Sequence, residues 1–284
     1  MTIQSNLDAV LARKRLTTIH GYSVVTDPLD YNDIDQVFPI YPEQEFFLDE
    51  MDREAIRGAR VLEVGVGSGV LSIGTALAGA AQVTALEINP RAKSTAGFNI
   101  VMNGLEDRVR IVDGAADVFA PVAGEMFDYV FSNPPFEPTP PDQDFFYHSS
   151  AGPFGLDFIE TMLKGMHSVL RPGGRLQIVT AAPGDEHGPF MFADLARKYL
   201  KGPTRIVSSA ASLDYYEALD WLPQKGFFTL EQTEKLKDMA RAAGVKRSFL
   251  CVLHHVNDGT ETGEVVMETA AKAYASPEVP FDTE

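Results

Sequence analysis

Val61-Leu-Glu-Val-Gly-Val-Gly-Ser-Gly-Val-Leu-Ser-Ile73 decides the fold of this 284-residue chain. It starts as a short apolar run with β-branched residues, the pattern of a buried strand. It breaks at Gly65, Gly67 and Gly69, then resumes through Leu71 and Ile73 toward Ala80 with the pattern of a helix. Strand, glycine turn and helix in that order open a Rossmann-type unit. Glycines at the turn let the backbone bend sharply and approach a ligand with no Cβ in the way. A dinucleotide fingerprint would place its third glycine at position 70, which is Val70, so a nicotinamide oxidoreductase is disfavoured.

Outward from this stretch, strand and helix patterns alternate. Strands are expected at 82–88, 108–113, 127–131 and 175–179. Helices are expected from Pro90 to about Met102 and over 155–170, the second with Ile159, Met162, Leu163, Met166 and Val169 on one face. Alternation of this kind predicts a doubly wound, mostly parallel sheet. Farther on, 189–200 and 229–243 read as helices, and 205–207 and 248–255 as strands. Upstream, Leu7, Val10 and Leu11 lie at helical spacing, predicting a helix over 5–16. Residues 21–35 read as irregular, and a helix follows Pro42 as far as Gly58. The expected organisation is a helical or irregular cap over 1–57, a catalytic domain over 58–256, and an acidic, weakly ordered tail over 257–284.

Two features carry chemistry. Glu87 ends the second strand of the unit, where a carboxylate can accept hydrogen bonds from both ribose hydroxyls of a nucleoside. Ser132-Asn-Pro-Pro-Phe136 directly follows the fourth strand. Its prolines fix the backbone and remove two N–H donors, leaving carbonyls and the Asn133 amide to face a ligand. Phe136 adds a flat apolar surface. Such a site suits a planar group bearing NH or NH₂: the Asn133 amide oxygen and the Pro134 carbonyl accept its protons and aim the nitrogen lone pair at an electrophile.

Glu63-Val-Gly-Val-Gly-Ser-Gly69 resembles motif I of class I S-adenosylmethionine (SAM) methyltransferases. Together with Glu87, Asp117 and Asn133-Pro-Pro-Phe136 it resembles the SAM-dependent N-methyltransferases with a (D/N/S)-PP-(Y/F/W) motif. Within that class the likeness is to the HemK/PrmC family, which methylates a protein glutamine amide. Gly155-Leu-Asp-Phe-Ile159, Pro172-Gly-Gly174 and, more loosely, Pro42-Glu-Gln-Glu45 are similar to further segments of that family, so the likeness covers about 37–182. The resemblance implies a Rossmann-like class I methyltransferase with a seven-stranded sheet, bearing a small N-terminal helical segment and C-terminal additions. It implies SAM as cofactor and S-adenosylhomocysteine as product. It also implies cofactor contacts by Glu63, Gly65, Gly67, Gly69, Glu87, Asp117 (at the adenine) and Asn133, with catalysis by Asn133, Pro134 and Phe136. The family usually has Tyr where this chain has Phe136, and its N-terminal helical domain is not evident here.

Tyr147 and His148, just past the acceptor motif, are candidate substrate contacts. The histidines show no metal-ligand spacing, so no metal is expected. The net charge of −16 repels polyanions at long range and disfavours nucleic acid as substrate. Cys251, the single cysteine, lies in an apolar run and reads as a core thiol. With no basic-then-apolar N-terminus and no long apolar run, a cytoplasmic protein is expected and no membrane association. The oligomeric state is left open. The acceptor stays open between a protein glutamine and a small metabolite or natural product. RNA base N-methylation and a non-catalytic SAM-fold scaffold are the alternatives.

Overall fold

The structure, a computed structural model, describes residues 13–31, 33–141, 151–224, 228–260 and 263–274. Two strands open it, β1 (Arg15–Ile19) and β2 (Tyr22–Thr26), paired antiparallel with Ile19 opposite Tyr22. The loop is therefore two residues, His20 and Gly21, both at positive φ (47° and 84°). That conformation matches the twist of the flanking strands. Arg15 and Leu16 thus belong to a strand, and 22–26 is regular, which corrects the expected helix over 5–16 at its end and the irregular stretch after it. The rest of that helix, 5–12, falls outside the described residues. Thr17 and Ile19 point inward while Leu16 is exposed, the period-2 alternation of a half-buried strand.

The helix expected after Pro42 is two: α1 (Pro42–Asp49) and α2 (Arg53–Ile56). Asp52 accepts a hydrogen bond from the Ala55 N–H and restarts the chain as the cap of α2. Next come β3 (Arg60–Val64), α3 (Val70–Leu77), β4 (Gln82–Glu87), α4 (Pro90–Met102), β5 (Val109–Asp113), β6 (Phe127–Ser132), α5 (Asp157–Gly165) and β7 (Leu170–Gly184). α6 (Phe190–Tyr199), β8 (Thr204–Asp214), α7 (Tyr215–Gln224), α8 (Leu230–Ala242), β9 (Arg247–Val256) and β10 (Val265–Thr269) complete the chain.

One eight-stranded sheet runs in the order β10-β8-β9-β7-β6-β3-β4-β5. Neighbours from β7 to β5 are parallel; β9 is antiparallel to both β7 and β8. Seven strands were expected from the resemblance. The eighth, β10, pairs parallel to β8 and comes from the segment read as a weakly ordered tail. Beyond it Tyr274 is 7% exposed, stacks on Phe46 of α1 at 4.1 Å and donates to Asp49 at 2.8 Å. Lys272 reaches Glu45 of the same helix at 2.7 Å. The described part of the tail is therefore packed onto the domain.

Each face of the sheet carries its own apolar layer. Val61, Val83, Tyr129 and Phe131 face one way, with α1, α3 and the hairpin residues Tyr22 and Val24. Leu62, Val64, Val130, Leu176 and Ile178 face the other, with α5 and α6. Cys251 is a buried free thiol in the second layer. A third, smaller cluster joins α7 and α8 through Tyr215, Leu219, Leu236 and Ala240.

Candidate active site

Strand register brings three of the candidate residues together. Val64 lies level with Leu86 on one side and Ser132 on the other. The next residues, Gly65, Glu87 and Asn133, therefore leave the sheet side by side. This is where the strand order reverses, with β4 and β5 to one side of β3 and β6 and β7 to the other, the topological switch point at which open α/β sheets bind ligands. A cleft of about 820 Å³ opens there.

Gly65, Gly67 and Gly69 all have positive φ, at 81°, 52° and 83°. A Cβ on Gly65 or Gly67 would enter open space, so room for a ligand lies directly before the backbone. Gly69 serves packing instead: a Cβ there would come within 3.2 Å of Ala96 on α4. The amides of Gly65 and Val66 both donate to the Leu86 carbonyl at 3.0 Å, fixing the turn to β4. Glu87 accepts from the Gly67 N–H at Oε2 and from the Asn89 N–H at Oε1, both at 2.9 Å. Its carboxylate is thus held between the glycine turn and the start of α4. Glu63 is 1% exposed and accepts a short hydrogen bond from Ser72. Burial pushes its carboxyl well above the usual range, the Ser72 bond opposing and the charge of Glu87 adding to the rise.

Asn133, Pro134, Pro135 and Phe136 form the opposite wall. Asn133 Oδ1 is buried and has no hydrogen-bond partner. A lone buried acceptor costs stability unless a donor arrives. Gly155, at φ 72°, lies so close behind the loop that a Cβ would fall 2.0 Å from the Phe136 carbonyl oxygen. The Thr139 N–H donates to the Gly152 carbonyl at 2.9 Å, fastening the two segments again.

Not every expected residue sits here. Asp117 is exposed and outside the cleft wall; Ala115, Ala116 and Val118 line it instead. Asp117 thus sits at the rim, between the lining residues Ala116 and Val118. Tyr147 and His148 lie outside the described residues. Residues with no role assigned from the sequence also line the cleft: Ile34, Gln36, Val37, Phe38 and, in the Pro42-Glu-Gln-Glu45 segment on α1, Glu43. The 34–38 stretch is pinned by Asp27, whose carboxylate takes Lys14 at 2.6 Å, Arg91 at 2.5 Å and the Val37 N–H at 2.8 Å. Burial opposes ionisation of Asp27, but these donors outweigh it and hold its carboxyl below the usual range. Asn89 also donates to the Asp35 carbonyl at 2.9 Å. The lining includes four carboxyl side chains, Glu43, Glu63, Glu87 and Glu137, and, among the described residues, no lysine or arginine. No cluster suited to a metal ion occurs among the described residues, and no helix among them is long and apolar enough to cross a membrane.

Solved structures share this architecture. A SAM-dependent methyltransferase from Agrobacterium tumefaciens superposes with a TM-score of 0.56, over 86% of this chain and 70% of that one, at 16% identity. Strand order, switch point and this likeness define the fold, a Rossmann-like α/β domain, and the family match makes it a methyltransferase domain. The family model for the methyltransferase small domain matches residues 42–188, about half of the chain, and the chain belongs to that family. Among its relatives is a release factor glutamine methyltransferase from Gloeobacter violaceus, 33% identical over 55% of this chain and 57% of that protein. A tRNA1(Val) (adenine(37)-N6)-methyltransferase from Shewanella amazonensis is 35% identical over a shorter stretch, 28% of this chain and 35% of that protein. This chain thus spans little more than half the length of the first relative and a third of the second.

Proposed function

We propose that this protein is an N-methyltransferase that moves the methyl group of SAM to a planar amide nitrogen, with a protein glutamine as the favoured acceptor. The observation that carries this reading is the orphaned Asn133 Oδ1 beside the glycine turn. An acceptor oxygen left bare in a buried wall fits an N–H donor that arrives with substrate.

The residues present suit the cofactor. Open space before Gly65 and Gly67 leaves room for it, and the Glu87 carboxylate can accept the ribose hydroxyls. Ile34 and Ile88, about half exposed, and Phe38 offer apolar surface for the base. When bound, SAM supplies an electrophilic methyl on a positively charged sulfur. Methyl transfer would leave the sulfur as a neutral thioether with the electron pair of the broken carbon–sulfur bond, and the proton displaced from nitrogen would pass to water. Asn133 Oδ1 and the Pro134 carbonyl accept the N–H bonds, aim the lone pair, and meet the positive charge that develops on nitrogen. Phe136 positions the planar group. Polar dipoles fixed in advance need no reorganisation during the reaction.

The release factor glutamine methyltransferases among the relatives support a glutamine acceptor. The tRNA methyltransferase relative supports a base nitrogen, which the same loop could hold, but the net charge of −16 and the carboxyl-lined cleft weigh against a polyanion. The test is radiolabelled SAM with two acceptors offered separately, an unmethylated bacterial peptide release factor and total unmodified RNA. Label in the release factor, lost when its target glutamine is replaced, is expected. Label in RNA alone would overturn the glutamine reading.

A further inference from the structure

Positioning by the acceptor loop gives Glu43 no task, yet its carboxyl is 4% exposed and its Oε2 has no hydrogen-bond partner. Of four orphaned buried side-chain atoms among the described residues, two, Asn133 Oδ1 and Glu43 Oε2, line this one cleft. Glu43 is held firmly: Gln44 donates to its Oε1 at 3.0 Å, and Gln44 Oε1 accepts from the Tyr41 N–H at 2.7 Å, closing the N-terminal turn of α1. One oxygen is thus anchored and the other is left for a ligand. Glu137, which follows Phe136 directly, lines the same cleft, and its charge acts on Glu43. Glu43 therefore lies within electrostatic reach of the acceptor loop, on the wall of the same cleft. Transfer to a nitrogen held at Asn133 would bring the sulfonium methyl toward that loop.

We propose that Glu43 reads the charge of the cofactor: its free carboxylate oxygen faces the sulfonium, favouring cationic SAM over the neutral thioether of S-adenosylhomocysteine. The inference rests on the cofactor reading above. The two ligands differ only in the methyl group and its positive charge, so a buried carboxylate beside the sulfur discriminates between them and opposes retention of product. Burial and the charge of Glu137 push the Glu43 carboxyl up to about 7. A cation arriving beside it lowers that value and drives the proton off; a neutral ligand does not. Glu63 and Glu87 share the cleft, but Glu63 is bonded to Ser72, and Glu87, anchored by two backbone amides, is the residue assigned above to the ribose.

Calorimetry of SAM and S-adenosylhomocysteine binding, in buffers of different ionisation enthalpy, tests this without any methyl acceptor. In the parent protein at pH 7, SAM binding is expected to release about half a proton and S-adenosylhomocysteine none, because a group titrating near 7 is about half protonated there. Glu43→Gln keeps the shape and the anchor to Gln44. It is expected to abolish the release and to cut the SAM-over-product affinity ratio by about ten-fold, the scale of one charge pair at close range in a partly screened site. Equal proton release and an equal ratio in parent and variant would overturn the role of Glu43. Parent protein that releases no proton on SAM binding would overturn it with no variant needed. Parent protein that binds neither ligand would overturn the cofactor reading itself.

Discussion

Glu87 holds two backbone amides and, in the proposed cofactor site, accepts the ribose hydroxyls as well. Its removal therefore costs ligand contacts and the anchoring of the glycine turn together. Glu87→Ala is expected to weaken SAM binding by about 1.5–3 kcal/mol, the worth of charge-assisted hydrogen bonds, as read by calorimetry. An unchanged dissociation constant would remove Glu87 from the cofactor site. Both Glu87 and Asn133 were legible in the sequence because each ends a strand pattern at a fixed distance from a glycine or proline signal. Asp27 was not, and Glu43 was visible only as part of Pro42-Glu-Gln-Glu45, with no role attached. Glu43 stands out through burial alone, and Asp27 through a partner far along the chain, since Arg91 lies 64 residues away. No local pattern encodes such a pairing.

At the scale of elements, the acceptor loop depends on the turn before α5. Gly155 is at φ 72° with the Phe136 carbonyl against its Cα, so an alanine there meets both backbone strain and a collision with main chain. Gly155→Ala is expected to shift Pro134–Phe136 and lower kcat by ten-fold or more, while SAM affinity, set by β3 and β4, stays within two-fold. Loss of both together would mean that loop and cofactor site move as one. The elements themselves were legible wherever periodicity ran long, as in the parallel strands and α8, whose cap Thr229 accepts from the Gln232 N–H as its sequence suggests. The β1–β2 hairpin was not legible. Its turn is His20-Gly21 where Asn-Gly or Asp-Gly is the strong signal, and a five-residue strand exposed on one face offers little pattern to read. β10 was hidden for a related reason: its pattern is mostly exposed, and its place is fixed by pairing with β8 and by the Tyr274 stack beyond it.

Across the whole molecule, that stack joins the chain's last described residues to α1, the helix that carries Glu43. Deleting residues from 264 onward is therefore expected to lower Tm by several degrees, since it uncovers the edge of β8 and the ring of Phe46. An unchanged Tm would show that the stack adds nothing to the fold. Stability also depends on pH through His255, which is 3% exposed and linked to Thr204 Oγ1 at 2.9 Å. Burial pushes its imidazole down to about 4 from an ordinary 6.5. The unfolded chain therefore takes up this proton first as pH falls, and stability is lost from about 6.5 down to about 4. Glu43 acts with the opposite sign, its raised carboxyl favouring the folded state as pH falls from about 7 toward 4.5. Comparing denaturant midpoints of the parent and His255→Asn across this range isolates the histidine: the variant's profile should be flatter, and parallel profiles would contradict the assignment.

Asn133 carries the central claim, and the measurement that tests it most directly pairs turnover with binding. Labelled methyl transfer from SAM to an unmethylated release factor is followed for the parent and Asn133→Ala, with SAM affinity measured on the same preparations. The predicted result is a fall in kcat of about 10²–10³, the scale for loss of one preorganised polar contact to a transition state, with the SAM dissociation constant unchanged. Turnover by Asn133→Ala equal to that of the parent would contradict it, and would reduce Asn133-Pro-Pro-Phe136 to a rigid turn beside a SAM site.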